Sequence, residues 1–348
     1  MTNLTPSSWV KIVLITLLCL VLCAGVGGCM LGVQSSVRTA LGLFDSHYRS
    51  ADGSEFQNVG EATVPAESVR DLEIGWLAGS VEVRPIDDDL TDGSVHVQEF
   101  VRDDSTDIPE RNKMGWSLNG ERLSVAYGNG RFFNWGGLTS CAPGSEKKLV
   151  ITMPASCAQN LRSVEISGAS GRYVLAGLSC ERLSIDLASG SLNIERGVRA
   201  NELNLNMASG QANIEGVFPG SINEDRASGT SFIVCHDVCP SLVNISLASG
   251  STQLYVPEGS GYTISCDKLS GSFDCPGATW WGAKDQYVAG DGSATFLVDM
   301  MSGKVVIGQG ADLVADDAAE SSVSAAPSAP EAPQAPEAPA APAAPSVS

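Results

Sequence analysis

The sequence predicts an all-β chain whose main body is a parallel β-solenoid of about 20-residue coils, with a broader, sandwich-like N-terminal end. One transmembrane helix should precede this body, and a disordered Pro/Ala-rich tail should follow it. Three observations carry the reading. Ser-Gly, usually as Ala-Ser-Gly, recurs with its glycine at 171, 190, 210, 229, 250, 271 and 303, so the spacings are 19, 20, 19, 21, 21 and 32. Apolar residues alternate in register with that dipeptide on both sides of it. The composition, with 37 glycines in 348 residues and only 6% aromatic and 18% charged residues, suits many tight turns and fits a helical bundle badly.

Residues 1–11 are read as a cytoplasmic N-terminus and 12–33 as the membrane helix. Ile12 to Val33 is 22 residues without a charge, roughly 33 Å of helix at about 1.5 Å per residue, which is enough to cross a bilayer core. Two other readings stay open. A cleaved signal peptide would place its apolar region at Val10 to Ala24, and Val26-Gly27-Gly28-Cys29 could serve as a lipobox with Cys29 lipidated. The apolar run resumes with Met30, Leu31 and Val33, which favours the uncleaved helix. The acidic, loop-rich body and the seven cysteines after residue 140 place the bulk of the chain outside the cytoplasm of a bacterial cell, single-pass and membrane-anchored.

Residues 34–59 form a linker, and the solenoid domain spans 60–310. Its first coil is Leu72, Ile74 and Trp76, then Ala78-Gly79-Ser80, then Val81 and Val83. Between Arg84 and Asn160 the repeat lapses into longer strands: Val95 to Val101, a hairpin from Trp116 to Tyr127 turning at Asn119-Gly120, and Lys148 to Met153. This stretch should cap the stack.

In the coils that follow, the positions seven, five and three before the glycine are Leu183, Ile185 and Leu187, then Leu203, Leu205 and Met207, then Val243, Ile245 and Leu247, and last Phe296, Val298 and Met300. Two and four after it stand Leu192 and Ile194, Thr252 and Leu254, and Val305 and Ile307. Alternation with period two, broken at Ser-Gly, is a strand, a tight arch and a second strand, each with one face inward. A third inward position (Leu178, Val198, Val217, Val238) should close a three-sided coil. Glu224 and Arg226 occupy inward positions in the coil of Gly229. A local slip that turns them outward is favoured over a buried pair, because desolvating two charges is costly.

From Ala311 to residue 348 the chain becomes Ala, Pro, Glu and Ser, with six acidic residues and no basic one. Pro327, Pro330, Pro333, Pro336, Pro339, Pro342 and Pro345 match the three-residue turn of polyproline II, so an extended, solvated tail is expected.

This grammar resembles the bacterial β-strand-repeat proteins known as the putative-adhesin family, a domain of unknown function with many single-pass members. The residues that carry the resemblance are Leu72-x-Ile74 through Gly79-Ser80-Val81-x-Val83, the strand Leu149-Val150-Ile151-Thr152-Met153-Pro154, and the Leu-x-Ile-x-Leu-Ala-Ser-Gly-Ser-Leu-x-Ile coils, over roughly residues 60 to 310. It implies a parallel β-solenoid in a cell-envelope setting and brings no catalytic residue with it.

The net charge of −19 argues against nucleic-acid binding. Serine at an arch is turn chemistry, and no Gly-x-Ser-x-Gly or neighbouring histidine completes a triad. Asp87, Asp88, Asp89 and Asp92 lack the pattern of a calcium loop. Cys235-His236-x-x-Cys239 has no second ligand pair to complete a tetrahedral metal site. No metal, cofactor or catalytic residue is therefore expected.

The candidate ligand contacts are two clusters that interrupt the repeat, Phe132, Phe133 and Trp135, and Trp280 with Trp281. They serve either as caps on the solenoid ends or as a recognition surface. Disulfide candidates are Cys266 with Cys275, Cys235 with Cys239, and Cys141 with Cys157. The first pair stands in opposite inward slots of one coil. The leading functional expectation is a non-enzymatic, membrane-anchored envelope protein presenting its solenoid to a protein, glycan or envelope component. A stress-sensing or regulatory membrane protein is the alternative, and an enzyme acting on polysaccharide along the solenoid flank is third.

Overall fold

The computed structural model describes residues 47–49, 55–102, 113–128, 146–281 and 285–310. Among these the chain forms 23 strands, hydrogen-bonded into one wrapped sheet. The predicted membrane span and the Pro-rich tail lie outside the described residues. No helix among the described residues is long and apolar enough to cross a membrane.

Each coil sends one strand into its glycine arch and one away from it, so the strands form two columns. The column entering the arches runs β7 (Arg122–Ala126), β3 (Asp71–Gly75), β9 (Leu161–Gly168), β11 (Ser179–Leu187), the second half of β12 (Ser191–Met207), β14 (Ser221–Arg226), β16 (Leu242–Leu247), β22 (Ala294–Met300) and β18 (Tyr262–Lys268), all parallel. The column leaving them runs β8 (Lys147–Pro154), β4 (Ser80–Ile86), β10 (Arg172–Leu175), the first half of β12, β13 (Gln211–Val217), β15 (Thr230–Cys235), β17 (Ser251–Val256), β23 (Lys304–Gln309) and β19 (Ser272–Asp274). The predicted register holds in detail. Leu183, Ile185, Leu187, Leu203, Leu205 and Met207 are all buried, as are Leu192, Ile194, Val305 and Ile307. One coil could not bury this surface alone; the stack makes it a continuous core.

The spatial order differs from the chain order at both ends. The last coil, β22 and β23, lies between the coil of Gly250 and the coil of Gly271. At the other end β3 and β4, the first coil in the chain, lie inside β7 and β8. The 32-residue spacing before Gly303 therefore does not lengthen a last turn. It carries the chain out over the end of the stack and back to an inner position.

The N-terminal end continues both columns. In one, β6 (Gly115–Asn119) pairs antiparallel with β7 through the expected turn, where Gly120 has φ +61°. In the other, β5 (Ser94–Arg102) pairs antiparallel with β8, β2 (Glu55–Pro65) with β5, and β1 (His47–Arg49) with β2. A buried ion pair that sequence alone did not suggest fixes this end. Lys147 Nζ lies 2.6 Å from Glu99 Oε1 and 4.3 Å from the Tyr127 ring centroid, while Glu99 Oε2 accepts the Met114 N–H at 2.7 Å.

Core volume is matched across the columns. Tyr173 points inward and its hydroxyl donates to Trp76 O at 2.6 Å. It fits because the facing position is Gly168, where a Cβ would meet that hydroxyl at 1.8 Å.

Two local expectations are corrected. Glu224 and Arg226 do not slip outward: they stay in register between Leu205 and Ile245 and between Met207 and Leu247, both about 1% exposed. Arg226 Nε bonds Glu224 Oε1 at 2.9 Å, and Ser231 Oγ donates to the same oxygen at 2.5 Å and lies 3.0 Å from Thr252 Oγ1. The facing strand thus supplies hydroxyls where other coils have Leu192 or Val305, so the charges are paired inside the core. Val238, expected inward, is 43% exposed, although Leu178, Val198 and Val217 are buried. The chain turns at Asp237, whose φ is +62°, and buries Pro240 instead. The third side is a short corner without a strand column of its own.

Candidate interaction surface

The end formed by β18 and β19 would expose a bare strand edge and an open core. An antiparallel hairpin covers one column: β21 (Gln286–Ala289) pairs with β18, and β20 (Thr279–Trp280) pairs with β21. Directly opposed residues share a face, so Ile264, Tyr287 and Trp280 form one inner row. Ile264 is buried, and Tyr287 packs on Phe273 of the other column with ring centroids 5.3 Å apart. Trp280 has passed the last coil and is 64% exposed. Backbone pairing, Tyr287 and Phe273 therefore do the capping, and Trp280 is left facing solvent.

Trp281 follows on the outer side, its N–H donating to Gln286 O at 3.0 Å, and it is equally exposed. The outer residues of the last two coils stand in rows set by register. One row holds Leu297, Ser265 and Gln286, ending beside Trp281. The next holds Asp299 and Asp267. The third lies at the arches, where Met301 and Leu269 replace the alanine of Ala169, Ala188, Ala208, Ala227 and Ala248. Leu297, Met301 and Leu269 are 44%, 37% and 64% exposed. The signal was present in the sequence, since only these two repeats read Met-Ser-Gly and Leu-Ser-Gly, but alternation alone drew no attention to it.

Charge is distributed unevenly along the stack. Toward the N-terminal end carboxylates are paired, as in Asp71 with Arg162, Glu82 with Lys148 and Glu202 with Arg182. From Ser228 to Gly310 the chain has seven acidic residues, three lysines and no arginine. The Asp267 and Asp299 side chains have no hydrogen-bond or ion-pair partner among the described residues.

The other candidates are placed as follows. Phe132, Phe133, Trp135 and Cys141 lie outside the described residues. The six described cysteines, Cys157, Cys180, Cys235, Cys239, Cys266 and Cys275, are thiols. Cys266 is buried in the slot it shares with Val298 and Ile245, and Cys275 packs against the same core from the other column. Burial pushes both thiols up to about 11. Cys235 turns inward, whereas His236 lies on the opposite side of the strand, 3.5 Å from Glu215 Oε2. Among the described residues no three His, Cys, Asp or Glu side chains are grouped to hold a metal. The acidic loop serves local structure: Asp88 Oδ1 accepts the Ser156 N–H at 3.0 Å, and Asp92 Oδ1 accepts the Ser94 N–H at 3.0 Å. Arch serines are likewise structural, as Ser189 and Ser228 donate to Ala169 O and Ala208 O in the neighbouring coils.

Fold and surface together define a parallel β-solenoid of stacked glycine-arched coils with an apolar, acidic terminal face. The chain belongs to the Toastrack DUF4097 family, whose pattern it matches over residues 69–307. Among solved structures it is similar to a putative cell adhesion protein from Clostridium sporogenes, at 12% identity and a TM-score of 0.35, covering 72% of this chain and 99% of that one. It is also similar to putative adhesins from Bacteroides fragilis, at 11% identity and a TM-score of 0.29, and Parabacteroides merdae, at 10% and 0.26, each covering 72% of this chain and 96% and 95% of theirs. Comparison with curated proteins gives no match.

Proposed function

We propose that this chain is a non-enzymatic, membrane-anchored protein of the bacterial envelope that presents its solenoid for interaction, with the end built by the coils of Gly303 and Gly271 as the contact surface. The observation that carries the reading is the exposure of Trp280 and Trp281 on a hairpin whose capping work is done by other residues. Exposed aromatic rings on a rigid frame are the usual energetic centres of recognition surfaces. The use of arch serines and loop aspartates in turns and ladders supports the non-enzymatic part. The uncharged run of residues 12–33 supports the anchor.

The test compares the full chain with a Trp280→Ala/Trp281→Ala variant in envelope pull-downs and on a glycan array. Partners or glycans captured by the wild type and lost by the variant are expected. Identical capture by both chains would remove the surface. Fractionation tests the anchor: the chain should stay with membranes until detergent is added.

A further inference from the structure

We propose that the terminal surface binds a basic, extended protein segment, with cationic side chains against Asp267 and Asp299 and apolar side chains on either side of them. This rests on the reading of that end as the contact surface and names the chemistry of its partner. Three rows cross the last two coils: Leu297 with Trp281, then Asp299 with Asp267, then Met301 with Leu269. Successive rows are two residues apart along the strands, or about 6.6 Å. An extended peptide presents alternate side chains at that same repeat, so an apolar, basic, apolar series on one of its faces matches the rows one to one.

Charge selects the partner. Asp267 and Asp299 are register partners on adjacent parallel strands, about 4.8 Å apart in backbone spacing. Like charges at that separation repel, and a cation between them relieves the repulsion. Among the described residues neither Lys268 nor Lys304 pairs with them, and no arginine follows Arg226. A neutral glycan could stack on the tryptophans but would leave the carboxylates uncompensated. The flanking rings and aliphatic side chains meanwhile favour a segment that brings apolar groups as well as charge, and tryptophan faces attract the same cations.

The probe is a fluorescent peptide with Leu, Lys and Leu at alternate positions and Thr between them, titrated onto the full chain in EDTA so that no divalent cation bridges the carboxylates. Saturable binding that weakens with added salt is expected, with none for the peptide carrying Glu in place of Lys. Asp267→Asn/Asp299→Asn and Trp281→Ala should each weaken it about tenfold. Glu67→Gln/Asp87→Asn, the same change in net charge at the other end, should alter it less than about twofold. Absence of binding up to about 1 mM, or equal weakening by both charge variants, would overturn the proposal. If glycan or protein capture depends on Trp280 and Trp281 but ignores Asp267→Asn/Asp299→Asn, the contact surface stands and its basic partner falls. If the tryptophan variant captures everything the wild type does, both fall.

Discussion

Gly303 stacks directly on Gly250, 53 residues before it in the chain, and the carbonyl of Gly250 accepts the N–H of Lys304 at 2.9 Å. Gly271 lies on the far side of Gly303 and belongs to the outermost coil. The C-terminal strands are thus an internal layer, and the coil of Gly271 has no direct pairing with the coil of Gly250. A chain ending at Ser293 is expected to lose order in residues 260–290 as well as the missing coil, whereas one ending at Gly310 keeps it. Limited proteolysis followed by mass spectrometry checks this. Protection of β18 in the shorter chain would contradict the layer order.

The arch glycines all have positive φ, and a Cβ on Gly229 or Gly250 would sit 2.1 or 2.2 Å from the carbonyl oxygen of the glycine stacked beneath it. That oxygen is fixed by its own ladder hydrogen bond and cannot move aside. Gly229→Ala is therefore expected to cost about 3 kcal/mol or more, from backbone strain plus overpacking. Gly93 also has positive φ, but nothing lies within 4 Å of its Cβ position. Gly93→Ala should cost only about 1 kcal/mol. Urea denaturation of the two variants measures the difference.

Glu224 and Arg226 are each about 1% exposed, so removing one leaves the other charged in the core. Glu224→Ile or Arg226→Leu alone should destabilise by about 3–5 kcal/mol, while the double change Glu224→Ile/Arg226→Leu should come close to neutral. A double-mutant cycle by chemical denaturation gives the coupling directly. Additive single costs would mean that the pair is not a unit.

Two aspartates give pH dependences of opposite sign. A hydrogen bond from Arg162 is the main cause that holds the Asp71 carboxyl below its ordinary 3.8. A lowered folded pKa gives stability that is present above the unfolded value and lost as pH falls through the folded one. Burial raises Asp186 instead, against an opposing hydrogen bond from Asn206. A raised folded pKa favours the protonated carboxyl, so its contribution is full below the unfolded value and is lost as pH rises through the folded one. At pH 7 Asp71→Asn should lower the melting temperature and Asp186→Asn should raise it; the Asp186 difference should shrink as the pH is taken down toward about 4, whereas the Asp71 difference should persist there and shrink only at lower pH. Melting curves between neutral and acid pH decide both signs.

Cys266 in β18 and Cys275, which follows β19, pack against one core in the outermost coil. In an oxidising compartment they are expected to form a disulfide, which would stabilise the coil by about 2–3 kcal/mol in the chain-entropy model. Non-reducing peptide mapping of exported protein should recover the linked peptides. Two separately alkylated thiols would remove the bridge and weaken the placement outside the cytoplasm.

The repeat itself was legible from residues alone. Alternation around Ser-Gly assigned Ile185, Leu205 and Val298 to the core and located the arches, because strand geometry alternates side chains between faces whatever the neighbouring strand may be. The order of the coils was not legible. Every coil offers the same apolar faces and the same arch, so local pattern gives the last one no preference between stacking beyond the coil of Gly271 and entering beneath it. The same limit applies to Glu224 and Arg226. Their burial depends on hydroxyls brought by Ser231 and Thr252 from the facing strands, and the expected slip left those partners out of account. It applies also to the terminal surface, where Leu269, Met301 and Leu297 were visible as residues but became a set of rows only when β22 took its place beside β18. Sequence determined which side of each strand is apolar, since that depends on neighbours two residues away. Tertiary structure decided which strands meet, since that depends on contacts between segments tens of residues apart whose local patterns are equivalent.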